Sequence, residues 1–295
     1  MLVPTPGNTS ENYYDKQGGD KVIEQTIDDD FPYTEENNDY VEKIIQEDLL
    51  EIPEERSEST DNNQIIEQDN QINNNEEKLD YKAMLKEMKY YKNDYSDENI
   101  NMRNAILRFQ SHNNLRVDGS FGQLSEKALK KAIKDKNYQY SDVITNFPTN
   151  KEWISINKTK RILTLYKGQE VIKKYPIAQG KTKELTPEGK FTIVNKYINP
   201  GWGGAGISSP IAGGLPENPL GYRWMGISYG GGGSYGIHGN NKPNSIGTDV
   251  SMGCIRMINS DVEELFQLIS LQTPVWIGTH EKLQEWGVHN KSYTF

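Results

Sequence analysis

YGIHGNNKPNSIGTDVSMGCIRM, residues 235–257, holds the only cysteine of the 295-residue chain, Cys254, and one of its four histidines, His238, sixteen positions earlier. Gly239 follows the histidine, Gly253 precedes the cysteine and Arg256 lies two residues beyond it. A thiol attacks an acyl group as the thiolate, so it needs a base or an electropositive setting. It also needs a cradle of N–H donors for the charge that develops on the acyl oxygen. Ser251-Met252-Gly253 forms a small-residue turn able to present such donors, and Gly253 lets the backbone approach a substrate closely. Pro243 and Gly247 allow the intervening chain to loop back, bringing His238 and Cys254 to the same end of a sheet. Arg256 offers a planar fork for a carboxylate. The competing reading is plain: a lone cysteine is often a small buried hydrophobe, and a lone histidine is often inert.

Outward from this stretch the pattern is β. From Trp153 the segments WISIN, KRILTLYK, EVIKKYPIAQG and GKFTIVNKYI are short, rich in Ile, Val, Thr and Tyr, and punctuated by Gly or Pro. They predict an antiparallel β domain rather than βαβ units. Glycine dominates residues 199–234, which reads as long loops of the functional kind. Behind the cysteine, Ser260 and Glu263 match a capping box, and Val262, Leu265, Phe266 and Ile269 line one helical face. TPVWIG, residues 273–278, reads as a closing strand, and residues 280–295 as a short helix or surface segment.

Before the β region, Met102, Ala105, Ile106 and Phe109 share a helical face, as do Ala128, Leu129, Ala132 and Ile133, with an Asp118-Gly119 turn between them. Residues 146–150 read as a linker. The first 80 residues carry net charge −18 and the remaining 215 carry +9. The acidic part is rich in Asn, Gln, Glu and Asp, so disorder is its default reading. A short helical stripe at residues 39–52 is the exception. The start lacks a basic segment followed by an apolar one, so no signal peptide is visible, and no run reaches the ~18–20 apolar residues of a membrane span. One cysteine allows no internal disulfide. The histidines, at 112, 238, 280 and 289, lack ligand spacing, so neither metal nor cofactor is expected. GWGGAG, residues 201–206, matches the dinucleotide fingerprint only in letters, because prolines on both sides deny it a helix. The basic excess is unclustered and gives little case for nucleic acid.

Taken in order, ILTLYKGQEVIKKYPIAQGK, TPEGKFTI, NPLGYRWMGIS, YGIHGNNKPNSIG, SMGCIRMINSDVEELF and TPVWIG resemble the L,D-transpeptidase catalytic domain, the YkuD-like family, over about residues 153–278. AILRFQSHNNLRVDGSFGQLSEKAL is similar to a peptidoglycan-binding helical module. The resemblance implies a mainly β, sandwich-like catalytic domain over 150–279 with a helix after the cysteine. An all-α module over 79–145, an acidic arm over 1–78 and a tail over 280–295 complete the expected plan. It implies Cys254 as nucleophile and His238 as base, with the Gly239 backbone orienting the imidazole. The Gly253 and Cys254 amides would form the oxyanion hole, and Ser251 and Arg256 would shape substrate binding. The implied reaction releases D-alanine from a tetrapeptide stem through a thioester and joins it to a second stem as a 3→3 cross-link. An L,D-carboxypeptidase and a non-catalytic wall binder are the alternatives. The implied place of action is outside the cytoplasm at the cell wall, with stem peptides and wall polymers as partners and carbapenem-type β-lactams as acylating agents. Met252 stands where family members often have a second histidine.

Overall fold

The computed structural model describes residues 26–27, 79–134 and 142–290. The helical stripe at 39–52 and nearly all of the acidic arm lie outside the described residues. Thr26–Ile27 forms a two-residue strand, β1. Three helices follow: α1 (Tyr81–Glu87), α2 (Glu98–His112) and α3 (Gln123–Lys134). Next come β2 (Val143–Ile144), β3 (Glu152–Asn157), β4 (Ile162–Lys167), β5 (Glu170–Gly180) and β6 (Gly189–Ile198). The glycine-rich region supplies β7 (Gly201–Trp202) and β8 (Arg223–Ile227). The stretch around the cysteine gives β9 (Gly236–His238), β10 (Asp249–Ser251) and β11 (Ile255–Met257). The chain continues with α4 (Asn259–Leu268), β12 (Pro274–Gly278), α5 (His280–Glu285) and β13 (Val288–His289).

The strands pair in the order β10-β5-β11-β9-β8-β6-β12-β3-β4, and β4 pairs again with β5, which closes a barrel. Closure leaves the barrel strands without an unpaired edge. Alternation along the strands sends Ile154, Ile156, Leu163, Leu165, Ile193, Ile237, Ile255 and Ile277 into one core, joined by Val262 and Leu265 of α4. Each such side chain contributes about 1.5–3 kcal/mol on burial. The pairing is mixed rather than antiparallel throughout: β9–β11, β3–β12 and β5–β10 run parallel. Long connections make this possible, and the loop between β9 and β11 is one of them.

The helical segment packs into the same body. Leu107 and Val117 share a buried cluster with Ile162, Ala178, Ile246 and Ile258. Arg108 of α2 donates through Nε to both carboxylate oxygens of Asp261 at 3.0 Å and pairs with Asp94 at 2.8 Å. This contact also revises the expected capping box. No side chain caps α4, because the helix begins at Asn259 with Ile258 at its N-cap, which puts Ser260 inside the first turn, where its Oγ donates to Asp94 at 2.5 Å and accepts from Arg108. The helix starts ahead of the expected cap, and the hydroxyl is used in a long-range contact instead. At the other end of α4, Lys196 Nζ donates to the carbonyls of Phe266 and Ile269. The segment after β12 forms the short helix expected there, α5, and packs down, since Leu283 and Val288 are buried with Trp153, Tyr166 and Trp276.

Candidate active site

Strands β9 and β11 lie side by side with Ile237 opposite Ile255 and His238 opposite Arg256. The two isoleucines face the core, so alternation turns His238 and Arg256 to the other face. Cys254 immediately precedes β11. His238 and Cys254 line one cavity together with Ser251, Met252, Arg256 and Ser234, and Trp202, Leu220 and Trp224 form its apolar wall. The expected site residues other than the two glycines therefore meet in one place. Among the described residues no group of His, Cys, Asp and Glu is arranged to hold a metal ion.

His238 is 4% exposed. Its ring stacks on Trp224, its cross-strand neighbour in β8, with centroids 5.7 Å apart. Nδ1 lies 2.7 Å from the Gly239 carbonyl oxygen. A carbonyl can only accept, so Nδ1 carries the proton and Nε2 is left as the basic nitrogen. Burial first and the Arg256 charge second push the imidazole pKa down to about 3, against hydrogen bonds to the Gly239 and Leu220 backbones. The resting base is neutral imidazole, the form able to take a proton from a thiol.

Cys254 Sγ donates to the Ser234 carbonyl at 3.4 Å. Ser234 ends a glycine run in which Gly230, Gly231 and Gly232 all have positive φ. The run is pinned by its Gly232 carbonyl, which accepts from Trp224 Nε1 and Asn195 Nδ2. On the other side of the thiol, Ser251 Oγ donates to the Cys254 carbonyl at 2.7 Å and accepts the Gly253 amide at 3.1 Å. The expected oxyanion cradle is thus only partly laid out, because the Gly253 N–H is held by the turn. Thr186 Oγ1 donates to the Gly253 carbonyl and accepts the Gly180 amide, both at 2.9 Å, tying the turn to the end of β5.

Gly253 has φ of +135°, and a Cβ there would come within 2.6 Å of the Leu185 carbonyl oxygen and of the Tyr235 ring. Gly253→Ala is therefore expected to displace the turn that carries Cys254. A displacement near 1 Å costs on the order of 100-fold in rate. Thiol acylation kinetics would read this, and a rate within threefold of wild type would show that the turn tolerates the methyl group.

Thr186, Ser234 and Trp224 were not singled out by the sequence. Thr186 lies in TPEGKFTI, which entered only as one segment of the family pattern with no role for its threonine. Ser234 acts through its backbone carbonyl, which no residue type advertises.

A thiol and a neutral imidazole lining one largely apolar cavity define a cysteine acyl-transfer site on a closed β barrel. Residues 151–277 match the family model of the YkuD L,D-transpeptidase catalytic domain. The Bacillus subtilis family member YqjB is 43% identical over 127 residues, covering 42% of this chain and 70% of its own length. YkuD of Bacillus licheniformis is 41% identical over 124 residues, covering 42% of this chain and 64% of its own. An L,D-transpeptidase structure from Xylanimonas cellulosilytica aligns with TM-score 0.43 at 18% identity, covering 59% of this chain and 78% of that one. The chain belongs to the YkuD family of L,D-transpeptidase catalytic domains.

Proposed function

We propose that the protein is a cysteine-dependent L,D-transpeptidase that forms 3→3 peptidoglycan cross-links. The cavity that Cys254 and His238 line together, Cys254 just before β11 and His238 on the neighbouring β9, carries this reading. In the first step Cys254 Sγ attacks the carbonyl of the third stem residue while its proton passes to His238 Nε2. The tetrahedral oxyanion is cradled by the Cys254 amide and by the Gly253 amide once that amide leaves Ser251 Oγ. Collapse breaks the C–N bond, and His238 returns the proton to the departing D-alanine amine. In the second step a side-chain amine of another stem attacks the thioester, gives its proton to His238 and releases the thiol. Arg256, beside His238, would anchor a stem carboxylate. Met252, 42% exposed at the cavity, replaces a family histidine with an apolar contact, so proton transfer falls to His238 alone. The reaction would take place outside the cytoplasm at the cell wall, with the helices of 79–134 adding wall contacts.

Purified disaccharide-tetrapeptide incubated with the protein should give a dimer with one D-alanine lost, as read by mass spectrometry. Tripeptide without dimer would instead assign an L,D-carboxypeptidase, in which water takes the thioester. Unchanged substrate with stems of either diamino acid at position three would leave a wall-binding role.

A further inference from the structure

The imidazole of His238 is only as well aimed as the peptide unit that holds it. That unit joins Gly239 to Asn240. Its carbonyl faces His238 Nδ1 at 2.7 Å, and its N–H is the amide of Asn240, which donates to Asn259 Oδ1 at 2.9 Å. A trans peptide is planar with its C=O and N–H pointing in opposite directions. Gripping the N–H therefore sets the direction of the carbonyl. Accepting that N–H also polarises the amide, which strengthens the carbonyl as an acceptor. Asn259 makes a second bond, from Nδ2 to the Asn240 carbonyl at 3.0 Å, so the carboxamide reads both backbone groups of Asn240.

The surroundings are built around this carboxamide. A Cβ on Gly239 would lie 2.2 Å from Asn259 Oδ1, and one on Gly221 would lie 2.4 Å from it. Both glycines leave room for the side chain, and Gly221 follows Leu220 of the cavity wall. Asn259 is the first residue of α4, yet it does not cap that helix. The next two residues, Ser260 and Asp261, are fixed to Asp94 and Arg108 of the helical segment. The clamp is referenced to a buried ionic network rather than to a loop.

We propose that Asn259 is a positioning residue for His238, holding the Gly239–Asn240 peptide so that Nδ1 stays protonated and Nε2 stays basic. The role of His238 as base rests on the function proposed above, whereas the clamp itself is read on the resting protein. In Asn259→Ala, and equally in Asn259→Ser should the alanine variant not fold, the nitrogen NMR spectrum of the imidazole should lose its single Nδ1–H tautomer. Acylation of Cys254 by a carbapenem should fall about 10- to 100-fold, the scale of a small misplacement. Asn259→Asp keeps the acceptor for the Asn240 N–H but sets an oxygen against the Asn240 carbonyl, so it should retain the tautomer and recover part of the rate. A single Nδ1–H tautomer in Asn259→Ala with acylation within twofold of wild type would overturn the proposal. So would an Asn259→Asp rate as low as that of the alanine variant. If the wild type neither processes stem peptides nor takes up carbapenem, the proposed function fails while the spectrum still decides the clamp.

Discussion

Cys254→Ala is expected to abolish both dimer formation from tetrapeptide stems and the covalent mass increase on incubation with a carbapenem. The loss should be at least about 10⁴-fold, because removing the nucleophile of a covalent mechanism leaves only binding and the oxyanion donors. Binding of the stem peptide should survive, since the apolar wall of Trp202, Leu220 and Trp224 does not depend on the sulfur. Retention of D-alanine release in the variant would remove Cys254 from the mechanism. The pH dependence of the wild type adds a second reading. With its pKa pushed down to about 3, His238 stays neutral through the physiological range, so acylation should show no imidazole limb near pH 6.5. Stability responds to the same group in a defined direction. Below about pH 6.5 the unfolded chain takes up the proton that buried His238 refuses, so stability should fall as pH drops from there toward 3.

Asp142→Ala should lower stability more than any surface change. Its carboxylate accepts from Lys174 Nζ at 2.6 Å, Tyr166 Oη at 2.5 Å, Asn290 Nδ2 at 2.9 Å and Asn114 Nδ2 at 2.8 Å. Both members of the Asp142–Lys174 pair are essentially unexposed. Burial alone would raise the Asp142 pKa, but Lys174 and the neutral donors hold it below the usual carboxylate range. The stabilisation is present above the ordinary carboxylate pKa and is lost as pH falls through the depressed value. Removing the carboxylate strands an ammonium ion in the core, at about 3–5 kcal/mol. For a folded body of this size that corresponds to a fall of about 6–20 °C in the midpoint of thermal unfolding. Adding Lys174→Met should restore part of the loss but not all, because Tyr166, Asn114 and Asn290 would still lack their acceptor. A midpoint within about 2 °C of wild type for Asp142→Ala would show that water or a neutral lysine relieves the site. The network joins the turn after α2, strands β4 and β5, and Asn290 just beyond β13, so its loss should loosen all of them together.

The chemistry was legible in the chain because it demands particular residue types. A thiol, an imidazole and glycines close to both can be read at Cys254, His238, Gly239 and Gly253, and β-branched alternation from Trp153 announces the strands. Local rules failed where a distant group outcompeted a near one. Ser260 matched a helix cap but lies within the first turn of α4, behind the Ile258 N-cap, and gives its hydroxyl to Asp94. The strands read as antiparallel, yet the pairing that sets His238 beside Arg256 is parallel. Spacing along the chain says nothing of strand direction once a long loop intervenes. The sequence alone determined which side chains have the chemistry proposed for the site and that a β domain carries them. Tertiary structure decided which nitrogen of His238 is basic, which carbonyl holds the thiol, and that the helices and the barrel meet in a shared buried cluster. Those properties belong to backbone groups and to partners more than a hundred residues apart, and such groups meet only when the chain has closed on itself.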